Sequence, residues 1–371
     1  MKAVPLGRRA IILLLSALIS LSLLTPLLDI FKYFKYIVGP LSVLLYLLGD
    51  FKLSRGETSR AEKGFVLLLV YGVWSIWLSG DRLLGVKDLY FISCYLLPII
   101  FFIQRDTISS KDLTSIFYLF SVIFLFSIIG RDYKGFSISE SKAPFEGSVS
   151  FVFGGFFLYF MMFKDKKGMI LSALLMFLSL KRIALLGVFV GGAVWFIPSL
   201  WRMLSSNRIF LLLVNLGFIL FLFLLVDGFF DDVLELYTGK GAQEITLGRL
   251  NHYVGVLENI GNNFLSFFLG GGAGSTYELA MQYDYFDRVG GNLHSDTLKV
   301  FYEYGFVIFC VFFGLLSAVK GKAALVMSIY MMCLFFTDNV IVYVSVMFFL
   351  LLLTKQAGIR EEEKSNDLAN S

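Results

Sequence analysis

IFLLLVNLGFILFLFLLV, residues 209–226, decides the class of the fold. These 18 residues carry no charge and one polar amide, Asn215. The apolar positions are continuous, without the alternation that a membrane strand needs. About 20 mostly apolar residues cover the hydrocarbon layer as a helix. A lone helix also satisfies its own backbone there, which an open strand does not. The segment therefore reads as a membrane-spanning helix.

Working outward, similar blocks fall near 10–28, 34–49, 64–79, 83–103, 113–130, 148–163, 168–180 and 183–200, and again near 297–319, 323–337 and 339–354. With 209–226 they make about twelve spans in an all-α polytopic membrane protein. Composition agrees: of 371 residues 57% are hydrophobic and 16% charged, whereas a soluble domain is about a quarter charged. SLKRIALL, residues 179–186, places Lys181 and Arg182 side by side between two blocks, so two helices meet there at a surface. The first block follows a basic start but lacks a small-residue cleavage site, and reads as a retained span.

More than half of the 32 Lys and Arg residues fall in alternate connections when the N-terminus is placed inside. Examples are Arg8 and Arg9, the group from Lys52 to Lys63, Lys164 to Lys167, and Lys320 with Lys322. By the positive-inside rule both termini are then cytoplasmic. Four parts follow. Residues 1–226 hold spans one to nine, 227–296 form one large periplasmic loop with amphipathic helices, 297–354 hold spans ten to twelve, and 355–371 form a disordered tail. In the loop, an amphipathic helix, an apolar stretch and a glycine turn succeed one another, with Val254, Leu257, Phe264 and Leu265 available to the bilayer or the bundle.

The three cysteines, Cys94, Cys310 and Cys333, lie inside apolar blocks and read as small buried hydrophobes. Two histidines cannot build a histidine-rich metal centre, and neither a metal nor a cofactor is expected. The net charge of +4 does not point to a nucleic-acid partner.

Polar residues of chemical interest gather on the outer side: His252 and His294, Arg182, Arg249 and Arg288, and the pair Asp338 and Asn339. Ionisable groups at membrane depth are costly, and by default they suggest function. Guanidinium groups suit phosphate oxygens, and an imidazole can take a proton from a hydroxyl and return it. Each has a structural alternative. Arg182 can mark a helix end, Arg249 and His252 a solvated helical face, and His294 a helix cap. LGGGAGS, residues 269–275, lacks the Lys-Ser/Thr ending of a P-loop and reads as a turn. Lys87 and Asp88 lie one turn into the fourth span, where Lys87 can reach back to the interface.

In this arrangement the chain resembles the bacterial O-antigen ligase and O-antigen polymerase superfamily. The ligases show a His-Asn/Ser/Gln pair, nine residues, then Gly. Here His294 and Ser295 are followed by Asp296 to Tyr304 and then Gly305. Where the ligase pattern asks next for Gly, Thr or Tyr, this chain has Ile308. Arg182 resembles the arginine at the outer end of a mid-chain span, and Arg249 the arginine opening the loop helix. FFLGGGAGS is similar to the Phe-Gly-x-Gly before the histidine, and TDN to an acidic-Asn element before the final span.

The resemblance implies a GT-C-like, metal-independent inverting glycosyltransferase of the bacterial inner membrane, with its active site on the periplasmic side. His294 would be the general base or orient the acceptor hydroxyl. Arg182, Arg249 and Arg288 would bind the donor diphosphate, with His252, Ser295, Asp296, Asp338 and Asn339 in support. Donor and acceptor would be undecaprenyl-diphosphate-linked oligosaccharides, and membrane lipids, a chain-length regulator and a flippase would be partners. The departure at Ile308 favours a polymerase over a ligase that uses lipid A-core. The alternative of another class, a flippase or transporter of lipid-linked sugars, would show repeated halves, which this sequence lacks.

Overall fold

Every apolar block becomes a helix, and polar residues between blocks cap the start of several of them. The computed structural model describes residues 6–49, 51, 59–104, 107–130, 145–241, 250–262, 264–282 and 293–369. The first half of the chain contributes α1 (Leu6–Leu21), α2 (Phe34–Leu48), α3 (Arg60–Ser75), α4 (Arg82–Phe102), α5 (Ser110–Ile128), α6 (Val149–Phe163) and α7 (Lys166–Leu178). Then come α8 (Arg182–Phe196), α9 (Pro198–Ser206), α10 (Ile209–Val226) and α11 (Asp231–Thr238). The loop region supplies α12 (Leu250–Asn262), α13 (Phe264–Leu269) and α14 (Ser275–Gln282). The chain closes with α15 (Asp296–Ser317), α16 (Lys322–Thr337) and α17 (Val344–Ala369). Among the described residues there is no strand.

Caps explain the starts. Ser59 with Glu62 and Ser109 with Asp112 form reciprocal capping boxes that open α3 and α5, each satisfying two amides otherwise left bare. Asp81 and Asp165 cap α4 and α7 in the same sense. The expected break between α7 and α8 occurs at residues 179–181. A second break was not legible: the block 183–200 splits at Pro198, where α8 and α9 meet at 94°. Proline pushes the preceding residue out of helical geometry, and Ile197 is extended there at φ −98° and ψ 103°.

Among the described residues, seven helices are long and apolar enough to cross a bilayer: those covering Gly7–Leu24, Asp29–Leu48, Arg60–Leu78, Arg82–Phe102, Ser110–Ile128, Ile209–Val226 and Asp296–Ser317. The bent pair α8 and α9 meets the same test when joined, and α6 and α16 are apolar but shorter. The fold is thus an all-helical, multi-pass membrane bundle. Tilted and edge-on rings fill its interior, with Phe117 against Phe156 and Phe160, each at 5.0 Å between centroids. Lipid is as apolar as these side chains, so close packing supplies much of the association between helices.

α15 is the most deeply buried of the seven spans, packed against α3, α10, α13 and α16. α12 lays Tyr253, Val256, Leu257 and Ile260 inward, a spacing of three and four that fits an amphipathic helix. Phe264 and Leu265 are exposed.

The tail departs from its reading. Residues 355–369 continue α17 as helix, not as a disordered segment. Polar composition suggested disorder, but these polar groups have partners on other helices. Lys355 Nζ sits 3.1 Å from Glu62 Oε1. Glu361 Oε2 accepts the Ala323 amide at 2.8 Å, and the Arg360 guanidinium lies 4.4 Å from the Phe163 ring centroid.

Candidate active site

The site is built around the N-terminus of α15. Ser295 is extended, at φ −156° and ψ 107°, and its Oγ accepts the Leu298 amide at 3.2 Å. That cap starts the helix. Immediately before it, His294 adopts φ +54°, a left-handed conformation uncommon outside glycine. The twist turns the chain sharply into the helix and leaves the imidazole half-buried at its lip. Tyr253 Oη of α12 reaches the His294 carbonyl at 3.5 Å, so the loop helix lies against the same corner.

Asp296, the next residue but one, is fully buried. Its Oδ2 accepts the Ile341 amide at 2.7 Å, and its own amide donates to the Asp338 carbonyl at 3.2 Å. Asp338 is the hub. Its Oδ2 lies 2.8 Å from Lys181 Nζ, while its Oδ1 accepts Tyr343 Oη and the Asn339 amide, each at 2.9 Å. Burial pushes the Asp338 pKa up, but the Lys181 ammonium and these hydrogen bonds outweigh it and hold the carboxyl below its usual range.

One ion pair and one backbone hydrogen bond therefore join the start of α8 to the start of α15. Arg182, the first residue of α8, is exposed, and among the described residues it has no ion pair. The adjacent Lys181 turns inward instead. The sequence reading singled out Arg182 and passed over Lys181, because Lys181 lies in the extended turn before α8, where helical spacing does not set the direction of a side chain. His294, Ser295, Asp296, Asp338 and Asn339 do come together. Arg249 and Arg288 lie outside the described residues, as does the side chain of His252, whose backbone belongs to α12.

A second signal lies nine residues on. At Gly305, φ is +76° and ψ 168° inside α15, a region open essentially to glycine alone. The helix breaks there, and the carbonyls of Tyr302 and Glu303 lose their partners one turn ahead. The amides of Gly271 and Gly272 replace those partners at 2.8 and 3.0 Å. The glycine turn is thus neither a phosphate cradle nor a loose connection, but a plug in the kink. Its fit is tight: a Cβ on Gly305 would stand 2.3 Å from the Phe268 carbonyl oxygen, and one on Gly270 at the same distance from that of Glu303.

Sequence reasoning also missed a buried cluster between the histidine and the kink. Lys299 Nζ contacts Asp88 Oδ2 of α4 and lies 3.8 Å from Glu303 Oε1. Tyr277 Oη donates to Asp88 Oδ1 at 3.3 Å, and Thr276 Oγ1 donates to Glu303. The available signal was charge inside apolar blocks, noted at Asp88 but not matched to Lys299 across 211 positions. Elsewhere, a cavity of about 210 Å³ lined by Lys35, Ser148 and Ser345, among others, includes none of the site residues above.

His294 thus stands at the lip of a kinked helix in a multi-pass membrane bundle, with a basic helix start linked beside it. Residues 168–313 match the family model described as O-antigen ligase, and this supports the O-antigen ligase and polymerase superfamily indicated by the motifs. The match runs from α7 past the Gly305 kink. Curated proteins yield no match to the chain.

Proposed function

We propose that the chain is a polymerase of O-antigen or a related surface polysaccharide. It would transfer a glycan from undecaprenyl diphosphate to a sugar hydroxyl of another lipid-linked repeat unit. On this reading the twelve apolar blocks cross the inner membrane, both termini are cytoplasmic, and residues 227–296 face the periplasm. The observation that carries the reading is His294, held in a left-handed turn at the lip of α15 by the Ser295 cap, nine residues before a glycine-only kink.

The chemistry needs few parts. His294 takes the proton of the acceptor hydroxyl as its oxygen bonds to the anomeric carbon. The bond from that carbon to the diphosphate oxygen breaks on the opposite face, so configuration inverts. Undecaprenyl diphosphate leaves with the bonding electrons, and Arg182, with Arg249 and Arg288, neutralises its charge. Asp338 and Asp296 hold the two helix starts in register, and Asn339, Ser295 and His252 complete the surroundings. A flippase would deliver the substrates and a regulator would set chain length.

The description of the matched family favours a second reading with the same donor chemistry, in which lipid A-core is the acceptor. Ile308, in place of the small or tyrosine residue of the ligase pattern, supports the polymerase. In a deletion strain, loss of a polymerase leaves core bearing single repeat units, whereas loss of a ligase strands finished polymer on its lipid carrier. His294→Ala should abolish polymer while the protein stays inserted and abundant. Polymer of normal length from that variant rejects the catalytic assignment.

A further inference from the structure

The cluster of Lys299, Asp88 and Glu303 has no place in the proton and phosphate chemistry above, yet all three side chains are at least nine-tenths buried. Stability alone is a poor reason for it. Removing charges from water costs several kcal/mol per ion in general, and well-packed apolar residues often serve as well or better. Within a span such groups are rarer still.

Their placement offers another reason. Asp296, Lys299 and Glu303 follow one another by three and four residues, so they share one face of α15. That face belongs wholly to the segment between the Ser295 cap and the Gly305 kink. Each end of the segment is fixed by backbone, through the Asp296 amide on the Asp338 carbonyl and through Gly271 and Gly272. Rotation about its own axis is fixed by the charged face: Lys299 to Asp88 on α4, Glu303 to Thr276 on α14, and Asp296 to the Ile341 amide. Tyr277 closes the group, with its hydroxyl on Asp88 and its ring centroid 4.5 Å from Lys299 Nζ.

We propose that Lys299 and Asp88, braced by Glu303, Thr276 and Tyr277, are positioning residues that set the rotation of residues 296–304 and so aim His294 at the acceptor hydroxyl. This rests on the catalytic reading of His294. A rigid peg of this kind has a clear use. Reacting groups must meet within a few tenths of an ångström, and a misplacement of about 1 Å can cost about 100-fold in rate.

The test uses full-length protein in proteoliposomes, with radiolabelled undecaprenyl-diphosphate repeat units as donor and acceptor. Lys299→Met alone strands the buried Asp88 and Glu303 carboxylates and should reduce the yield of inserted protein. The triple variant D88N/K299M/E303Q removes all three charges and should recover that yield. Its kcat should nevertheless fall about 100-fold, with KM within about twofold of the parent. Y277F, which deletes one hydrogen bond and no charge, should insert normally and lose several-fold in kcat.

Wild-type kcat in the inserted triple variant overturns the proposal. If the triple variant does not insert, Y277F decides: unchanged kcat there overturns it equally. His294→Ala is run alongside. Turnover surviving in that variant removes the catalytic reading itself, whereas a dead His294→Ala beside fully active cluster variants removes the positioning role alone.

Discussion

The two halves of α15 are one helix in name and two materials in substance. Before Gly305 the buried residues include Asp296, Lys299 and Glu303, each with a partner from α4, α14 or the turn after α16. After it they include Phe309, Phe312, Phe313 and Leu316, held by ring contacts such as Phe312 on Phe65 at 5.3 Å. Both halves sit in the same bundle, the first buried throughout and the second with Val307 and Val311 exposed. Directional bonds fix the first half's rotation and height, whereas dispersion fixes only that the second half is filled. A residue that must be aimed belongs at the end of the first kind.

The sharpest way to break this contrast is at the joint. Gly305→Ala should prevent the two halves from adopting their observed angle, because the new methyl would meet the Phe268 carbonyl and the backbone conformation excludes it. The expected outcome is loss of folded protein, read as the monodisperse fraction after detergent extraction. A straight, active α15 in that variant would show that the kink is dispensable.

A smaller effect separates the materials. Phe312→Ala in the apolar half should lower stability by about 3–5 kcal/mol, measured by unfolding in mixed micelles. The enzyme that remains folded should keep its kcat, since a cavity there does not turn His294. Loss of kcat in the folded fraction would mean that the halves are mechanically coupled across Gly305.

The smallest effect is one of pH. The Asp338 carboxyl is held below the usual carboxylate range. Its pairing with Lys181 therefore stabilises the folded state fully above the unfolded pKa of about 3.9. That contribution fades as pH falls through the lower folded value. Melting temperature should show no contribution from this pair's titration between pH 8 and 5, then decline below about 4. Lys181→Met should remove part of the acid-dependent decline, and an identical acid limb in that variant would discount the pair.

Much of the architecture was legible because hydropathy is local. Each of the twelve blocks forms helix, and the break near Lys181 was visible from two adjacent cations. The motif of His294, Ser295 and Gly305 was legible as spacing, although its meaning as cap, half-helix and kink required φ and ψ. What escaped was pairing across distance. Asp88 and Lys299 each look like a stray charge in an apolar run until the fold joins them. The tail was misread for the same reason: Lys355 and Glu361 look solvated until Glu62 and the Ala323 amide stand opposite. Lys181 was overlooked because it sits in the extended turn before α8, where no helical phase says which of two neighbours faces inward.

The turn at residues 270–274 has a practical consequence for the design of hybrid proteins. Its amides complete the main chain of another segment some thirty positions downstream, so the stretch that carries it is no detachable accessory. Chimeras exchanged between relatives should carry the stretch from Phe264 through Gly305 as one indivisible cassette. A junction placed inside it would graft a foreign loop onto a helix whose exposed carbonyls it does not fit.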